Sequence, residues 1–219
     1  MPLVDPTTFA VLDTETTGLP KEDPDAHVVE VGIARFEGGQ CVHRAQWFVR
    51  PDVLRDEHAE VAWRVSQISR AQIEGAPAPE EAWAEIHPWI KGIPIIAWNL
   101  PFDQTMIQRS FFSGGRLSGM RARRLVPPNW HECAMRRYSR HFVDQVGRWP
   151  SGEPKWSKLA HAAEQSGFSW TGQAHRADAD AEMTGRIYLG LLAGTLTFTP
   201  RPPDPETAET HETAAAQTG

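Results

Sequence analysis

Acidic side chains in three separated parts of the chain limit its fold more than any other feature of the sequence. The first group is Asp13 and Glu15, the second contains Asp103, and the third contains His175 and Asp180. Carboxylates that a fold draws together repel one another unless a cation lies between them. Mg²⁺ or Mn²⁺ suits such oxygen ligands, and two of these ions form a site suited to in-line displacement at phosphorus. We therefore expect the fold to bring all three groups to one place.

The order of apolar runs and helical patterns predicts an α/β arrangement. An uninterrupted apolar run over residues 8–12 predicts a central strand that is covered on both faces and ends at Asp13. Three further strands are predicted over residues 27–36, 41–50 and 93–98. Helices are predicted over residues 79–90, 102–112, 156–166 and 178–192, with a shorter helical region over residues 59–73.

The position of each acidic group within these elements bears on the expected site. Asp13 and Glu15 are two residues apart, so on extended backbone their side chains point to the same side. Asp103 falls in the first turn of a predicted helix and, taken alone, is better explained by the interaction of an acid with a helix N-terminus. His175 precedes the last predicted helix, where its imidazole is within reach of a site that includes Asp180. Only together do these residues favour a metal site.

The charge of the chain is unevenly distributed. The formal net charge is −6 at pH 7, but residues 109–148 contain nine arginines and two acidic residues, a net charge of +7. A basic segment beside a carboxylate site is typical of polyanion binding, and its candidate contacts are Arg121, Arg123 and Arg124. A solvated helix face explains any single arginine equally well, and Arg176 is expected to be a surface charge.

Composition predicts one domain over residues 1–198 and a disordered tail over residues 199–219. Hydrophobic residues make up 40% of the 219 residues, enough for one sizeable core. The tail is rich in Pro, Thr, Glu and Ala and is not expected to pack, and residues 113–129 are expected to form a mobile loop. No run approaches 18 apolar residues and the N-terminus lacks a secretory pattern, so we expect no membrane association. Two cysteines fit a reducing cytoplasm.

Three ordered motifs within residues 8–192 carry a resemblance to a known family. They are Val11-Leu12-Asp13-Thr14-Glu15-Thr16-Thr17-Gly18-Leu19, Ala97-Trp98-Asn99-Leu100-Pro101-Phe102-Asp103 and His175-Arg176-Ala177-Asp178-Ala179-Asp180-Ala181. In this order and at these separations they resemble the motifs of the DEDDh branch of the DnaQ-like 3′→5′ exonucleases. One position departs from the family pattern: many members have His where this chain has Trp98.

The resemblance implies an RNase H-like fold, in which helices flank a mixed five-stranded sheet whose first three strands are antiparallel. The fifth strand would lie between residues 129 and 170. The resemblance also implies an enzyme that hydrolyses a terminal phosphodiester bond with two Mg²⁺ or Mn²⁺ ions. By this analogy Asp13, Glu15 and Asp180 hold one ion, and Asp13 also reaches the second.

The same analogy implies roles for the remaining site residues. Asp103 would support the second ion through water, and His175 would act as general base. Thr16, Thr17 and Leu19 would contact the terminal nucleotide at its 3′ end, and Asn99 would also contact the substrate. The substrate is expected to be nucleic acid with a free 3′ end, with single-stranded DNA favoured for a repair or proofreading enzyme. The tail is a candidate tether for a polymerase or repair protein.

Other classes of function remain open at this point. An RNA 3′-end trimming enzyme of the same family has the same motifs, because a 2′-hydroxyl sensor needs only one or two contacts. A haloacid-dehalogenase-like phosphatase also places an acidic pair after a strand, but Glu15 and His175 fit its pattern poorly. A non-catalytic module that binds nucleic acid or a polymerase need not keep all five catalytic groups.

Overall fold

A computed structural model of the protein describes residues 6–112, 127, 129–172 and 174–200. Arg121, Arg123 and Arg124, most of the loop predicted over residues 113–129, and residues 201–219 of the predicted tail lie outside these described residues. Residue 199 is described, and its backbone N–H donates a hydrogen bond to the Gln165 carbonyl at 2.7 Å.

A five-stranded mixed sheet lies at the centre of the fold. Its strands are β1 (Phe9–Thr16), β2 (Val28–Glu37), β3 (Gln40–Phe48), β4 (Ile95–Ala97) and β5 (Trp130–Cys133). The strand order is β3-β2-β1-β4-β5. The pairs β1–β2 and β2–β3 are antiparallel, whereas β4 runs parallel to β1 and β5 runs parallel to β4. The RNase H-like arrangement and the expected interval for the fifth strand are both confirmed.

Eight α-helices surround this sheet within the described part of the chain. They are α1 (Asp56–Ser66), α2 (Arg70–Glu74), α3 (Pro79–Ile90), α4 (Leu100–Ile107), α5 (Ala134–His141), α6 (Val143–Val146), α7 (Leu159–Gln165) and α8 (Ala177–Ala193). The helical region predicted over residues 59–73 is two helices, because Gln67 ends α1 in a left-handed conformation with φ 57°. The helix predicted over residues 102–112 starts at Leu100 and continues beyond α4 as a π-helical segment, Gln108–Phe112.

Strand β1 is longer than the sequence predicts. Its apolar run does not end the strand at Asp13, because antiparallel pairing with β2 continues as far as Thr16 opposite Val28. Pairing with the parallel neighbour β4 involves only Ala10 and Val11. The acidic residues of β1 therefore lie on a strand that extends past the end of β4, at the edge where α/β sheets commonly bind ligands.

Alternate residues of β1 pack into cores on opposite faces of the sheet. Phe9 and Val11 join the core under α5, α7 and α8, and Ala10 and Leu12 join the core under α3 and α4. Period-two alternation carries the side chains of Asp13 and Glu15 to the α8 face. The same face therefore receives acidic residues from both β1 and α8.

Gly32 in β2 allows α8 to approach the sheet closely. It pairs with Asp13 across the β1–β2 ladder. A Cβ atom at residue 32 would lie 2.0 Å from the carbonyl carbon of Ala177, the first residue of α8. Only glycine fits this contact with backbone, so Gly32 determines how near the start of α8 comes to β1.

Candidate active site

Three elements bring the separated acidic groups to one end of the sheet. Strand β1 carries Asp13 and Glu15, and the first turns of α4 and α8 carry Asp103 and Asp180. His175 lies just before α8. Ligand atoms of Glu15, His175 and Asp180 all lie within 4.8 Å of one another. The structure thus brings the first and third motifs together, and a hydrogen bond from Thr14 to Asp103 joins the second motif to the first.

Burial and mutual repulsion perturb the carboxylates of this group. Burial, followed by repulsion from Asp103, Asp180 and Glu15, raises the pKa of Asp13 well above its ordinary value. Burial also raises the pKa of Glu15, of Asp103 and of Asp180 to about 7 in each case. Repulsion by the Glu15 carboxylate adds to the increase at both Asp103 and Asp180. In the absence of a cation, the group therefore retains protons near neutral pH.

Hydroxyl groups hold two of these carboxylates in place. Thr14 Oγ1 donates a hydrogen bond to Asp103 Oδ1 at 2.8 Å, which links β1 to α4. Ser66, the last residue of α1, donates its hydroxyl to Glu15 Oε2. The carboxylates of Glu15 and Asp103 are therefore oriented before any ligand binds.

Glu30 and Arg176 form a buried ion pair behind the acidic group. The Glu30 side chain is fully buried, its Oε1 accepts a hydrogen bond from Arg176 Nη2 at 2.6 Å, and its Oε2 accepts one from the Ala177 N–H at 3.1 Å. Arg176 is therefore not the surface charge that the sequence suggested. The pair anchors the start of α8 to β2, and the Glu30 charge contributes to the raised pKa of both Glu15 and Asp180. In the sequence, the one sign of this ion pair was Glu30 itself, an acidic residue inside the otherwise apolar part of β2.

His175 is exposed and has an unusual backbone conformation. Its φ is 60°, in the left-handed region that few residues other than glycine adopt. Its backbone N–H donates a hydrogen bond to Asp180 Oδ1 at 3.2 Å. Backbone conformations of this kind cluster at functional sites, where the surrounding structure enforces them. Here the conformation places an accessible imidazole beside the buried carboxylates.

The residues expected at the terminal nucleotide differ in their exposure. Leu19 is 50% exposed. Thr16 is half-buried, and its hydroxyl donates to the Gly18 carbonyl at 2.9 Å. Thr17 is only 1% exposed, and its hydroxyl accepts a hydrogen bond from the His27 N–H at 2.9 Å. The Thr17 side chain therefore stabilises the turn, while Thr16 and Leu19 are more accessible to a nucleotide.

A cavity of about 530 Å³, which we call the acidic cleft, opens beside Asp180 and His175. Asn99, at the start of α4, lies on its wall together with two tryptophans, Trp156 and Trp170. Trp98, which replaces the family histidine, is buried, and its indole N–H donates to the Ser157 carbonyl at 3.1 Å. This bond ties β4 to the segment that forms the opposite wall.

The donor chemistry of the site fits divalent cations. The buried carboxylates supply only oxygen atoms, the ligand type that Mg²⁺ and Mn²⁺ prefer. Their pKa values are raised first by burial and then by repulsion among them, and Arg176 offsets only part of the increase at Glu15. A cation would relieve this repulsion and displace the retained protons.

Comparisons with known proteins agree with this geometry. The 3′-5′ exonuclease DinG of Bacillus subtilis is 24% identical over 191 residues, which cover 84% of this chain but only 17% of DinG. The uncharacterized exonuclease CP81 of Escherichia phage 186 is 29% identical over 189 residues, 84% of this chain and 87% of CP81. The structure is similar to that of exonuclease X in complex with 5′ overhanging duplex DNA, with a TM-score of 0.56, 20% identity, and coverage of 85% of this chain and 92% of that one.

The match to a family model covers the whole of the site. The model, represented by RNase T and described as exonuclease, matches residues 10–188, from β1 through the greater part of α8. That interval contains the four carboxylates of the acidic group and His175. The chain therefore belongs to the exonuclease family.

Proposed function

We propose that this chain is a metal-dependent 3′→5′ exonuclease that hydrolyses the terminal phosphodiester bond of single-stranded DNA. The observation that supports the proposal most strongly is the convergence of Glu15, Asp180 and an exposed His175 within 4.8 Å, beside the half-buried Asp13 and the buried Asp103. Family membership supports the class of reaction. Repair or proofreading is the expected context.

The carboxylates are assigned to two divalent ions, Mg²⁺ or Mn²⁺. Asp13, Glu15 and Asp180 would hold one ion, and Asp13 together with Asp103 would hold the second. When bound, such ions lower the pKa of a coordinated water and stabilise charge on the attacking and leaving oxygens. Thr14 and Ser66 keep two of these carboxylates oriented through the hydrogen bonds described above.

His175 is assigned the role of general base. His175 is exposed, and a ring nitrogen lies within 4.8 Å of carboxylate oxygens of Glu15 and Asp180, so a water bound at these oxygens would be within its reach. The neutral imidazole takes the proton of the attacking water and releases it to solvent. The hydrogen bond from the His175 backbone N–H to Asp180 fixes the position of His175 relative to α8.

The terminal nucleotide is assigned to the region between the turn after β1 and the acidic cleft. The exposed Leu19 offers an apolar surface to the terminal base, and Thr16 and Asn99 lie near the 3′-hydroxyl. Trp156 and Trp170 on the cleft wall offer aromatic faces, which stack on unpaired bases. These aromatic faces favour a single strand over a duplex, whose bases are stacked on each other.

Further parts of the proposal concern partners and location. Arg121, Arg123 and Arg124 are proposed phosphate contacts, and the tail over residues 199–219 is a proposed tether for a polymerase or repair protein. Cys41 and Cys133 are both free thiols, which fits a cytoplasmic enzyme. No helix in the described part of the chain has the length and hydropathy needed to cross a membrane.

A digestion of matched substrates tests the choice of nucleic acid. Purified protein is incubated with end-labelled single-stranded DNA, duplex DNA and RNA of the same sequence, with Mg²⁺ and with EDTA. The proposal predicts that single-stranded DNA is degraded fastest and that EDTA stops the reaction. Faster degradation of RNA would establish the exoribonuclease alternative, and binding without cleavage in Mg²⁺ would establish a non-catalytic module.

A further inference from the structure

We infer that a second groove holds the DNA strand upstream of its terminal nucleotide; this inference rests on the proposed function. The groove lies between α5 and the segment over residues 147–156, and its cavity has a volume of about 530 Å³. We call it the distal groove. Residues on its wall that matter here are Arg136, Ser139, Arg140, Trp149, Glu153 and Trp156.

The distal groove adjoins the acidic cleft at Trp156. Trp156 lies on the wall of both cavities, and its side chain is 61% exposed. A strand whose 3′ end lies at Asp180 therefore has a direct path past Trp156 into the distal groove. This shared wall is what connects the distal groove to the proposed reaction.

A hydrogen-bonded turn presents Trp149 at the far side of the groove. The Trp149 N–H donates to the Glu153 carbonyl at 2.8 Å, the Gly152 N–H donates to the Trp149 carbonyl at 2.8 Å, and the Lys155 N–H donates to the Gly147 carbonyl at 2.9 Å. Trp149 is nevertheless 47% exposed, and the Lys155 ammonium lies 5.7 Å from the centroid of its ring. A large aromatic ring held open to solvent on a fixed backbone is suited to stack on a base.

Two arginines on α5 supply positive charge to the same groove. Arg136 and Arg140 are four residues apart, so they lie on one face of the helix. Both are exposed, and no carboxylate among the described residues lies within 4.0 Å of either guanidinium. Arg137 between them is different, because it pairs with Glu132 at 2.9 Å. Arg136 and Arg140 are thus available to phosphates.

A buried hydroxyl adds a polar contact at the base of the groove. Ser139 is 1% exposed, and its Oγ has no hydrogen-bond partner in the described part of the chain. A phosphate or sugar oxygen would satisfy this hydroxyl. Glu153 places one negative charge on the groove wall, and the two arginines outweigh it, so the wall is positively charged. Arginines alternating with exposed aromatic rings form the type of surface that binds single strands without reading their sequence.

Substrates of different length distinguish the contribution of the distal groove from that of the acidic cleft. A dinucleotide occupies only the acidic cleft, whereas a 12-residue oligothymidylate also reaches the distal groove. We expect Trp149→Ala to raise KM for the 12-mer about 5- to 150-fold, the range for loss of one stacked base, with little change in kcat or in dinucleotide hydrolysis. Trp149→Phe should restore most of the affinity, because it keeps an aromatic face.

Salt dependence tests the arginines. Arg140→Gln should weaken 12-mer binding and reduce the slope of log K against log salt by about 0.7, the value for one phosphate contact on a single strand. Arg35→Gln is the matched control, because Arg35 pairs with Glu37 at the C-terminal end of β2, away from the acidic group. This change should alter neither the affinity for the 12-mer nor the salt slope. Equal KM values for wild type and Trp149→Ala on the 12-mer would overturn the inference.

Binding measured in EDTA distinguishes failure of the inference from failure of the proposed function. Fluorescence anisotropy of a labelled 12-mer needs no hydrolysis. If the wild type cleaves neither substrate but Trp149→Ala still weakens binding, the proposed function fails and the groove stands. If Trp149→Ala weakens binding of inorganic polyphosphate as much as binding of the 12-mer, no base stacks on Trp149 and the groove is only a charged surface.

Discussion

At the scale of single residues, the carboxylates of the acidic group retain protons at higher pH than usual, because the fold holds them together before any cation binds. The pKa of Asp180 is raised to about 7, first by burial and then by the Glu15 charge. The motifs that contain Asp13, Glu15, Asp103, His175 and Asp180 were recognisable in the sequence because each has its own spacing. The Glu30–Arg176 pair was not, since only the fold brings residues 146 positions apart into contact.

Replacement of Asp180 tests the metal assignment. Asp180→Asn should lower the rate of hydrolysis by more than about 100-fold. A loss of about 100-fold is the upper end for residues that only hydrogen-bond to a metal ligand, and a ligand itself should cost more. Its thermal stability without metal should hold or rise, because the change removes repulsion. Asp178→Asn is the control, since Asp178 lies in the same turn of α8 and pairs with Arg44 at 2.9 Å. Near-normal turnover by Asp180→Asn in Mg²⁺ would refute the assignment.

Replacement of His175 tests the general base. His175→Gly avoids strain, because glycine adopts the φ of 60° without cost. We expect kcat to fall ~10²–10⁴-fold, the range for a positioned base, while affinity for DNA is retained. Added imidazole should restore part of the rate, because the site is open to solvent. His43→Ala, at another exposed histidine, should have no effect. Unchanged turnover of His175→Gly would leave His175 only a structural role.

Among the elements, the packing of α8 on the sheet decides where the third acidic motif lies. Helical spacing predicted this helix well. Apolar runs predicted β1 and β4, and β2 and β3 were also predicted as strands. Strand β5 was placed only within a broad interval, because its four residues include the polar His131 and Glu132. Helix α5 was not predicted, since it is only eight residues long and three of these are arginines.

Substitution of Gly32 tests the placement of α8. Gly32→Ala puts a Cβ atom 2.0 Å from backbone that cannot rotate away. We expect a loss of about 3 kcal/mol or more in the free energy of unfolding, the upper end for overpacking, together with weaker activity. Gly190→Ala, on α8, is the control. Its new Cβ atom would lie 2.6 Å from the end of the flexible Leu196 side chain, which can move away. Urea unfolding of both variants gives the comparison, and equal stabilities would contradict the account.

Across the whole molecule, the acidic group couples stability to pH and to metal. Glu15, Asp103 and Asp180 have ordinary pKa values of 4.5, 3.8 and 3.8 and values of about 7 in the fold. Between these limits the folded state holds more protons than the unfolded state, so stability is greatest on the acid side and falls as pH rises toward 7. The sequence indicated the repulsion but not its size, which depends on burial.

Thermal unfolding tests this coupling. Without metal, the Tm should fall between pH 5 and pH 8, and Mg²⁺ should raise it more at pH 8, where the carboxylates are ionised. The double change Glu15→Gln and Asp180→Asn should flatten the pH dependence and remove most of the effect of Mg²⁺. A metal-free Tm that rises over this interval, or that falls equally in the double variant, would count against the account.

Digestion of single-stranded DNA labelled at its 5′ end tests the central claim most directly. With Mg²⁺, the wild type should give a ladder of labelled strands that shortens stepwise with time, because nucleotides leave from the 3′ end. EDTA and Asp180→Asn should each leave the strand intact, while Asp178→Asn should give the wild-type ladder. Release of label as a mononucleotide at the earliest times, or a ladder that forms equally in EDTA, would contradict a metal-dependent 3′→5′ exonuclease.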